Sequence, residues 1–468
     1  ILTKLSSQLI DMVATALRLN SIVRPRPRWK RHVVTGLAGL LLTLWASLSQ
    51  GAEKTPKDYD LDYLSLQIKT AEADRARATL EQIVTDIQLD QGRYAYALVA
   101  PLTLLGDAHM ALQNSNEAAD HYAHALHLSR SNQGLFAPSQ VDVVYRQAAL
   151  YTAAGNLLAA RQREEYAFEV LQRHHGQASL DLLPAIERLG EFYQRSFNFL
   201  GARVLFKRAL ATLAANERQT SEAAIPYLQG VAKSYLTERF PPFYSESQFD
   251  PRAQSGLREM DLTTEYISIS NFPAGERALQ SVVAIRQQSL DRGLLDPEIS
   301  KSEVFRLTKS LHAAMLDLAD WHQMFGHIRE ARALYNHLFN EIDDAKTLSI
   351  AFDEPKLLYF PKPKDPKRPS DSTHQASTGE VEVQFDVLPT GRIRNLETVT
   401  SIPDGLMDFQ VRRNLRDAIF RPAINAEGPI TSKGYSYRYE FNHYSKLDAK
   451  DPEIATSSEP GPEQAEAP

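Results

Sequence analysis

The stretch LGEFYQRSFNFLGARVLFKRA, Leu189 to Ala209, places small residues at Gly190 and Ala202 on either side of a polar turn, with large ones at Tyr193 and Phe206. Working outward from Gly190, small residues recur at a constant interval of 42: Gly106, Ala148, Gly190 and Ala232. The same interval links Leu102, Val144, Ile186 and Leu228, and links His109, Tyr151, Tyr193 and Tyr235. These offsets of four and three reproduce one helix face in each unit. A second helix follows, carrying Ala118, Ala160 and Ala202, then Tyr122, Glu164 and Phe206, then Ala125, Ala167 and Ala209. Such small-large-small spacing lets two helices cross closely.

These residues resemble the tetratricopeptide repeat (TPR), whose Leu-Gly, Tyr, Ala, Phe pattern is met by Leu189, Gly190, Tyr193, Ala202, Phe206 and Ala209. The interval of 42 exceeds the usual 34 or so, which longer helices or loops absorb. After Tyr235 the period breaks in a stretch rich in Pro, Ser and aromatics, read as an insertion over residues 236–270. Leu318, Ala319, Gly326, Ala331, Tyr335 and Leu338 mark a later unit, and Ala76 and Leu80 a degenerate one before the first. The expected architecture is a mainly α chain whose residues 59–348 form a TPR-like α-solenoid of five to six helix pairs. By register, the concave lining falls to Asp107, Tyr145, Glu187, Glu191, Gln194, Gln229 and Lys233, and solenoid grooves characteristically take peptide segments. The Ala, Gly and Tyr positions themselves serve packing.

Residues 349–378 are crowded with Pro and Lys without an apolar period, and read as an extended, mobile linker. Then Val381, Val383, Phe385 and Val387 alternate with Glu382, Gln384 and Asp386, the pattern of a half-buried strand. A turn at Gly391, a second strand through Ile393, Leu396 and Val399, a helix carrying Leu406, Phe409, Val411, Leu415 and Phe420, and a third strand, GYSYRYEF, follow. This strand-strand-helix-strand order, a small α+β unit over residues 379–445, looks like the C-terminal domain of TonB proteins. The resemblance rests on GEVEVQFDVLPTGRIRN, the paired arginines of the helix, FRPA at Phe420 to Ala423, and the aromatic closing strand. It implies a periplasmic module of a Gram-negative bacterium that pairs an edge strand with a short segment of an outer-membrane transporter. The implied partner-binding edge is Tyr435, Ser436, Tyr437, Arg438, Tyr439, Glu440 and Phe441, acting by β-augmentation.

At the other end, the cluster RPRPRWKRH precedes the apolar run Val33 to Leu48 and small or polar residues through Ala52. That order reads as a leader and secretory signal over residues 1–52. The run is shorter than the roughly 20 residues a spanning helix needs, so cleavage near Gly51 or Ala52 is expected, with retention as an inner-membrane anchor the alternative. Energy-transducing members keep an uncleaved helix with a Ser and a His facing a motor, and no such pair stands within Val33 to Leu48. The net charge of −6 over 468 residues gives no long-range field that calls for nucleic acid or an anionic membrane. With no cysteine, disulfides, thiolate metal sites and a cysteine nucleophile are excluded. No Gly-rich phosphate loop, His-Glu-x-x-His or Gly-x-Ser-x-Gly occurs, so neither a catalytic residue nor a cofactor or metal is assigned. The tail, residues 446–468, is acidic, has no apolar period and reads as disordered. The functional expectation is a non-enzymatic cell-envelope adaptor with protein or peptide partners, linked to TonB-dependent transport; the alternative is a genuine TonB-type energy transducer anchored by residues 33–49.

Overall fold

Helix boundaries follow the 42-residue period. In the computed structural model, which describes residues 59–70, 72–241, 271–367, 369 and 374–446, the chain opens with α1 (Leu61–Lys69) and α2 (Ala73–Gln91). It continues as α3 (Val99–Ala111) with α4 (Ser115–Gln133), α5 (Val141–Ala153) with α6 (Leu157–His175), and α7 (Leu183–Arg195) with α8 (Phe199–Ala215). Then come α9 (Ile225–Arg239) with α10 (Asn271–Leu295) and α11 (Lys301–Met324) with α12 (Ile328–Glu341). The starts of α3, α5, α7 and α9 are spaced by 42, as are those of α2, α4, α6 and α8. These pairs form the TPR-like solenoid that the repeats predicted.

The small residues explain the crossing. A Cβ added to Gly190 would lie 2.5 Å from Phe206 Cε1, and one added to Gly230 would lie 2.6 Å from the same ring, so Phe206 of α8 is held between α7 and α9. Gly106 meets Tyr122 of α4 in the same manner, at 2.4 Å. Ala118, Ala160, Ala202, Ala125, Ala167 and Ala209 are all fully buried. Polar turns start the second helices: the Asn156 and Asn198 side chains accept hydrogen bonds from the N–H groups of Ala159 and Gly201. The expected insertion begins later than its composition suggested, because α9 runs on through Arg239. Its bulk lies outside the described residues, as do the leader and signal segment and the tail from residue 447.

After the solenoid the chain forms α13 (Ala345–Phe352), β1 (Lys356–Tyr359), β2 (His374–Val387), β3 (Ile393–Ile402), α14 (Asp408–Leu415) and β4 (Ile419–Arg421). The short strands β5 (Ile424–Asn425) and β6 (Gly428–Pro429) pair with each other, and β7 (Ser432–Lys446) closes the domain. The main sheet is antiparallel with β2 in the centre, flanked by β3 and β7. Val381, Val383, Phe385 and Val387 face Met407, Val411, Leu415, Phe420, Tyr439 and Phe441 in one core.

Three differences from the sequence reading have physical causes. Residues 349–367 are not an extended linker: β1 pairs with β4, and Phe360 is buried against Tyr437 and Tyr439. One buried aromatic outweighs a Pro/Lys-rich composition when a hydrophobic core lies within reach. The strand expected from Val381 starts earlier, at His374, where Gln375 to Thr378 pair with β7. The helix is shorter than expected and ends at Leu415, with Phe420 on β4. Its inward face is Val411 and Leu415, and Phe409, two positions earlier on the helix, is 72% exposed.

Candidate partner-binding surfaces

Contacts between successive units organise the groove. Asp107 on α3 accepts from the Tyr122 hydroxyl at 2.7 Å and from Arg146 Nε at 2.8 Å on each carboxylate oxygen. Arg146 belongs to the first helix of the next unit, so this trio ties one repeat to its successor. Arg188, one period on, instead grips Glu164 with two bonds of 3.0 Å and lies 3.5 Å above the Tyr145 ring. Burial pushes the Tyr145 hydroxyl up to about 12, with Glu164 adding to the shift and Arg188 opposing it. Glu164 is itself buried, at the position that Tyr122 and Phe206 occupy in the neighbouring units.

The expected lining residues therefore divide. Asp107 and Tyr145 are occupied as braces, and Gln194 donates through Nε2 to the Gly230 carbonyl at 2.8 Å. Glu187 remains partly open, its carboxyl raised by burial and by neighbouring Glu191, which forms an exposed pair with Arg195. Gln229 and Lys233 are exposed. A separate cavity of about 520 Å³ opens at the first turns of α1, α3 and α5, where Asp62, Tyr96, Thr103, Asp142 and Arg146 line it. None of the expected groove residues lines it: Asp107 and Tyr145 stand on α3 and α5 outside its lining, and the other five belong to α7 and α9.

The edge strand lies where alternation placed it. Tyr439 and Phe441 are buried, Tyr435 and Tyr437 pack against the core, and Ser436, Arg438 and Glu440 point to solvent. Burial raises the hydroxyls of Tyr435, Tyr437 and Tyr439. On the exposed face Arg438 lies 3.4 Å from Glu380 and 4.0 Å from Glu382, and Ser436 donates to Glu382 at 2.6 Å. From Gln375 to Phe385 the β2–β7 register is uninterrupted. The opposite edge, β3, differs. Its register with β2 shifts twice, leaving Val399 unpaired and placing Asn395 at φ 55°. Bulges of this kind discourage a further strand, whereas the regular β7 edge presents its outward groups in line.

The domain is seated on the last helix pair. Gln323 on α11 donates to the carbonyls of Thr390 and Phe420 at 2.7 and 3.0 Å. The turn residue beside them must be glycine: Gly391 has φ +74°, and a Cβ there would stand 2.0 Å from the Phe420 oxygen. Arg421, 3% exposed, grips Asp320 through Nε and Nη2 at 2.8 and 2.5 Å and donates to the Ala351 carbonyl. Ile424 enters the apolar cluster of Ala319, Tyr335, Leu338 and Phe352. This seat was not legible from the sequence, because its partners stand 101 residues apart.

A helical repeat solenoid closed by a small strand-presenting domain defines a class of protein built to hold other chains. Residues 364–442 match the family model for the Gram-negative bacterial TonB protein C-terminal. Solved structures similar to this chain include a Podosopora anserina protein described as a kinesin light chain with nearly identical TPR-like repeats. It is 17% identical with a TM-score of 0.36, over 49% of this chain and 94% of that one. BtubC (BKLC) from P. vanneervenii is 16% identical with a TM-score of 0.37, over 67% of this chain and 98% of that one. The sequence matches none of the curated proteins. Both kinds of domain are protein-interaction modules. Among the described residues no helix is long and apolar enough to cross a membrane, and no group of three or more His, Cys, Asp or Glu is placed to hold a metal ion.

Proposed function

We propose that the chain is a non-enzymatic adaptor of the Gram-negative cell envelope that takes an extended segment of a partner protein along the outer edge of β7. The observation that carries this reading is the contrast between the two sheet edges: β7 is regular from Tyr435 to Phe441, and β3 is bulged. The partner class follows from the family match at residues 364–442, which favours periplasmic N-terminal segments of outer-membrane transporters. The solenoid groove offers a second surface through Glu187, Glu191, Gln229 and Lys233. A domain bolted to the solenoid by Arg421 suits an adaptor that holds two partners at a fixed distance better than it suits a transducer reaching out on a long spacer.

The test is a titration of the whole chain with transporter N-terminal peptides, followed by backbone amide shifts. Shifts in Ser436, Arg438 and Glu440 are expected, with Arg438→Pro abolishing binding by removing one outward N–H and Arg438→Ala leaving it nearly intact. Shifts confined to Val381–Val399, or to the groove helices, would overturn the edge assignment.

A further inference from the structure

The outer edge of β7 is not open along its whole length. The Asn442 N–H donates to Asp365 Oδ2 at 3.1 Å, and Asn442 Nδ2 donates to the same oxygen at 3.1 Å. An N–H that reaches an acceptor beyond the sheet is one that does not pair with β2, and in an antiparallel ladder such outward groups recur on alternate residues. Glu440, Arg438 and Ser436 share this parity. Among the described residues no side-chain acceptor meets their N–H groups.

Asp365 is held in place by the segment that carries it. The Phe360 ring packs edge-on against Tyr437 and Tyr439, the Tyr439 hydroxyl donates to the Pro363 carbonyl at 3.2 Å, and Asn414 Nδ2 donates to the Pro361 carbonyl at 2.7 Å. Pro361, Pro363 and Pro366 have no N–H to offer. The segment therefore forms no regular strand beyond a single β-bridge at Lys362, and it meets the Asn442 N–H through one carboxylate.

We propose that Asp365 is a built-in stop for strand pairing: it occupies the outward N–H of Asn442, so that a partner's extended segment pairs with Ser436, Arg438 and Glu440 and ends there. A partner carbonyl continuing past Glu440 would face the Asp365 carboxylate in place of a free donor, and is repelled. The site thus selects a short segment, about five residues long at the strand rise of about 3.3 Å per residue, that turns away next to Asp365. This rests on the reading of β7 as the accepting edge.

Amide hydrogen exchange on the whole chain without ligand tests the cap itself. Asn442 should exchange slowly and Ser436, Arg438 and Glu440 quickly; Asp365→Ala should speed Asn442 at least tenfold, while Asp365→Asn, which keeps an acceptor oxygen, should not. Equal Asn442 exchange in wild type and Asp365→Ala overturns the cap. With the transporter peptides as probes, protection in wild type should stop at Glu440, and Asp365→Ala should extend it to Asn442 and tighten binding several-fold. A peptide that pairs through Asn442 in wild type, with no gain in Asp365→Ala, overturns the stop and leaves the edge reading standing. Edge amides that no peptide protects, in wild type and variant alike, overturn the edge reading and the stop together.

Discussion

Arg421 holds Asp320 as Arg146 holds Asp107. In each case the carboxylate follows a small residue of a first helix, accepts a tyrosine hydroxyl from the second helix at 2.7 Å (Tyr122 to Asp107, Tyr335 to Asp320), and meets a guanidinium from an element beyond that helix pair. At Asp107 that element is another repeat; at Asp320 it is β4 of the C-terminal domain. The domain thus takes the place of a further repeat and covers the end of the solenoid, which terminal units of repeat proteins must do. Arg421→Met should cost about 3 kcal/mol, because it strands Asp320 in a largely buried site. Urea denaturation of Arg421→Met, Asp320→Asn and the double variant measures the coupling. Additive losses would mean that the two side chains do not act together.

Overpacking should be felt at the crossing of α7 and α8. With Phe206 only 2.5 Å from a Cβ at Gly190, Gly190→Leu displaces the ring toward Gly230, where space is equally short. A loss of about 1–3 kcal/mol is expected, transmitted to both neighbouring repeats. Phe206→Leu in the same chain should recover part of it. An unchanged urea midpoint in Gly190→Leu would remove Gly190 from the helix contact.

Acid should weaken the packing between α10 and α11 through His322. Burial lowers its pKa below the ordinary 6.5, with His327 adding to the effect and Glu276 and Glu330 opposing it, and Nδ1 has no hydrogen-bond partner among the described residues. The folded state therefore binds fewer protons than the unfolded one as pH falls below 6.5. The stability that the neutral imidazole contributes is present above that pH and is lost below it. His322→Gln should remove this dependence, so that melting temperatures at pH 7.5 and 5.5 lie closer together than in wild type. Parallel slopes for the two proteins would show that other groups carry the acid sensitivity.

The repeat was legible because each unit buries the same face: Gly106, Ala148, Gly190 and Ala232 need no knowledge of partners to be recognised as a period. Alternation likewise divided β7 into Tyr435, Tyr437 and Tyr439 inside and Ser436, Arg438 and Glu440 outside. What escaped were relations between distant residues. Asp107 and Tyr145 looked like groove lining because register gives a direction but not the arginine of the next unit that covers them. The bulge at Val399 exists only relative to the spacing of Glu382 and Val383 on β2, so neither strand alone reveals which edge is blunted. Composition misled at residues 349–367, where Pro355, Pro361 and Pro363 are buried together with Phe360, which anchors the segment against Tyr437 and Tyr439.

That anchor supplies the sharpest test of the corrected boundary. Were the segment before β2 a mobile tether, Phe360→Ala would leave stability unchanged, since a solvated linker side chain contributes nothing to the folded state. Phe360 is instead 7% exposed within the core of Val381, Val383, Val411 and Tyr439. Its removal opens a cavity under the sheet, and a loss of about 3 kcal/mol is expected. The same substitution loosens the strap that carries Asp365, so Asn442 exchange should quicken along with the fall in stability. A denaturation curve of the whole chain that superimposes on wild type would return residues 356–367 to the status of a tether. A fragment beginning at residue 370 should melt well below one beginning at Lys356, because only the longer one keeps Phe360 and the β1–β4 pairing.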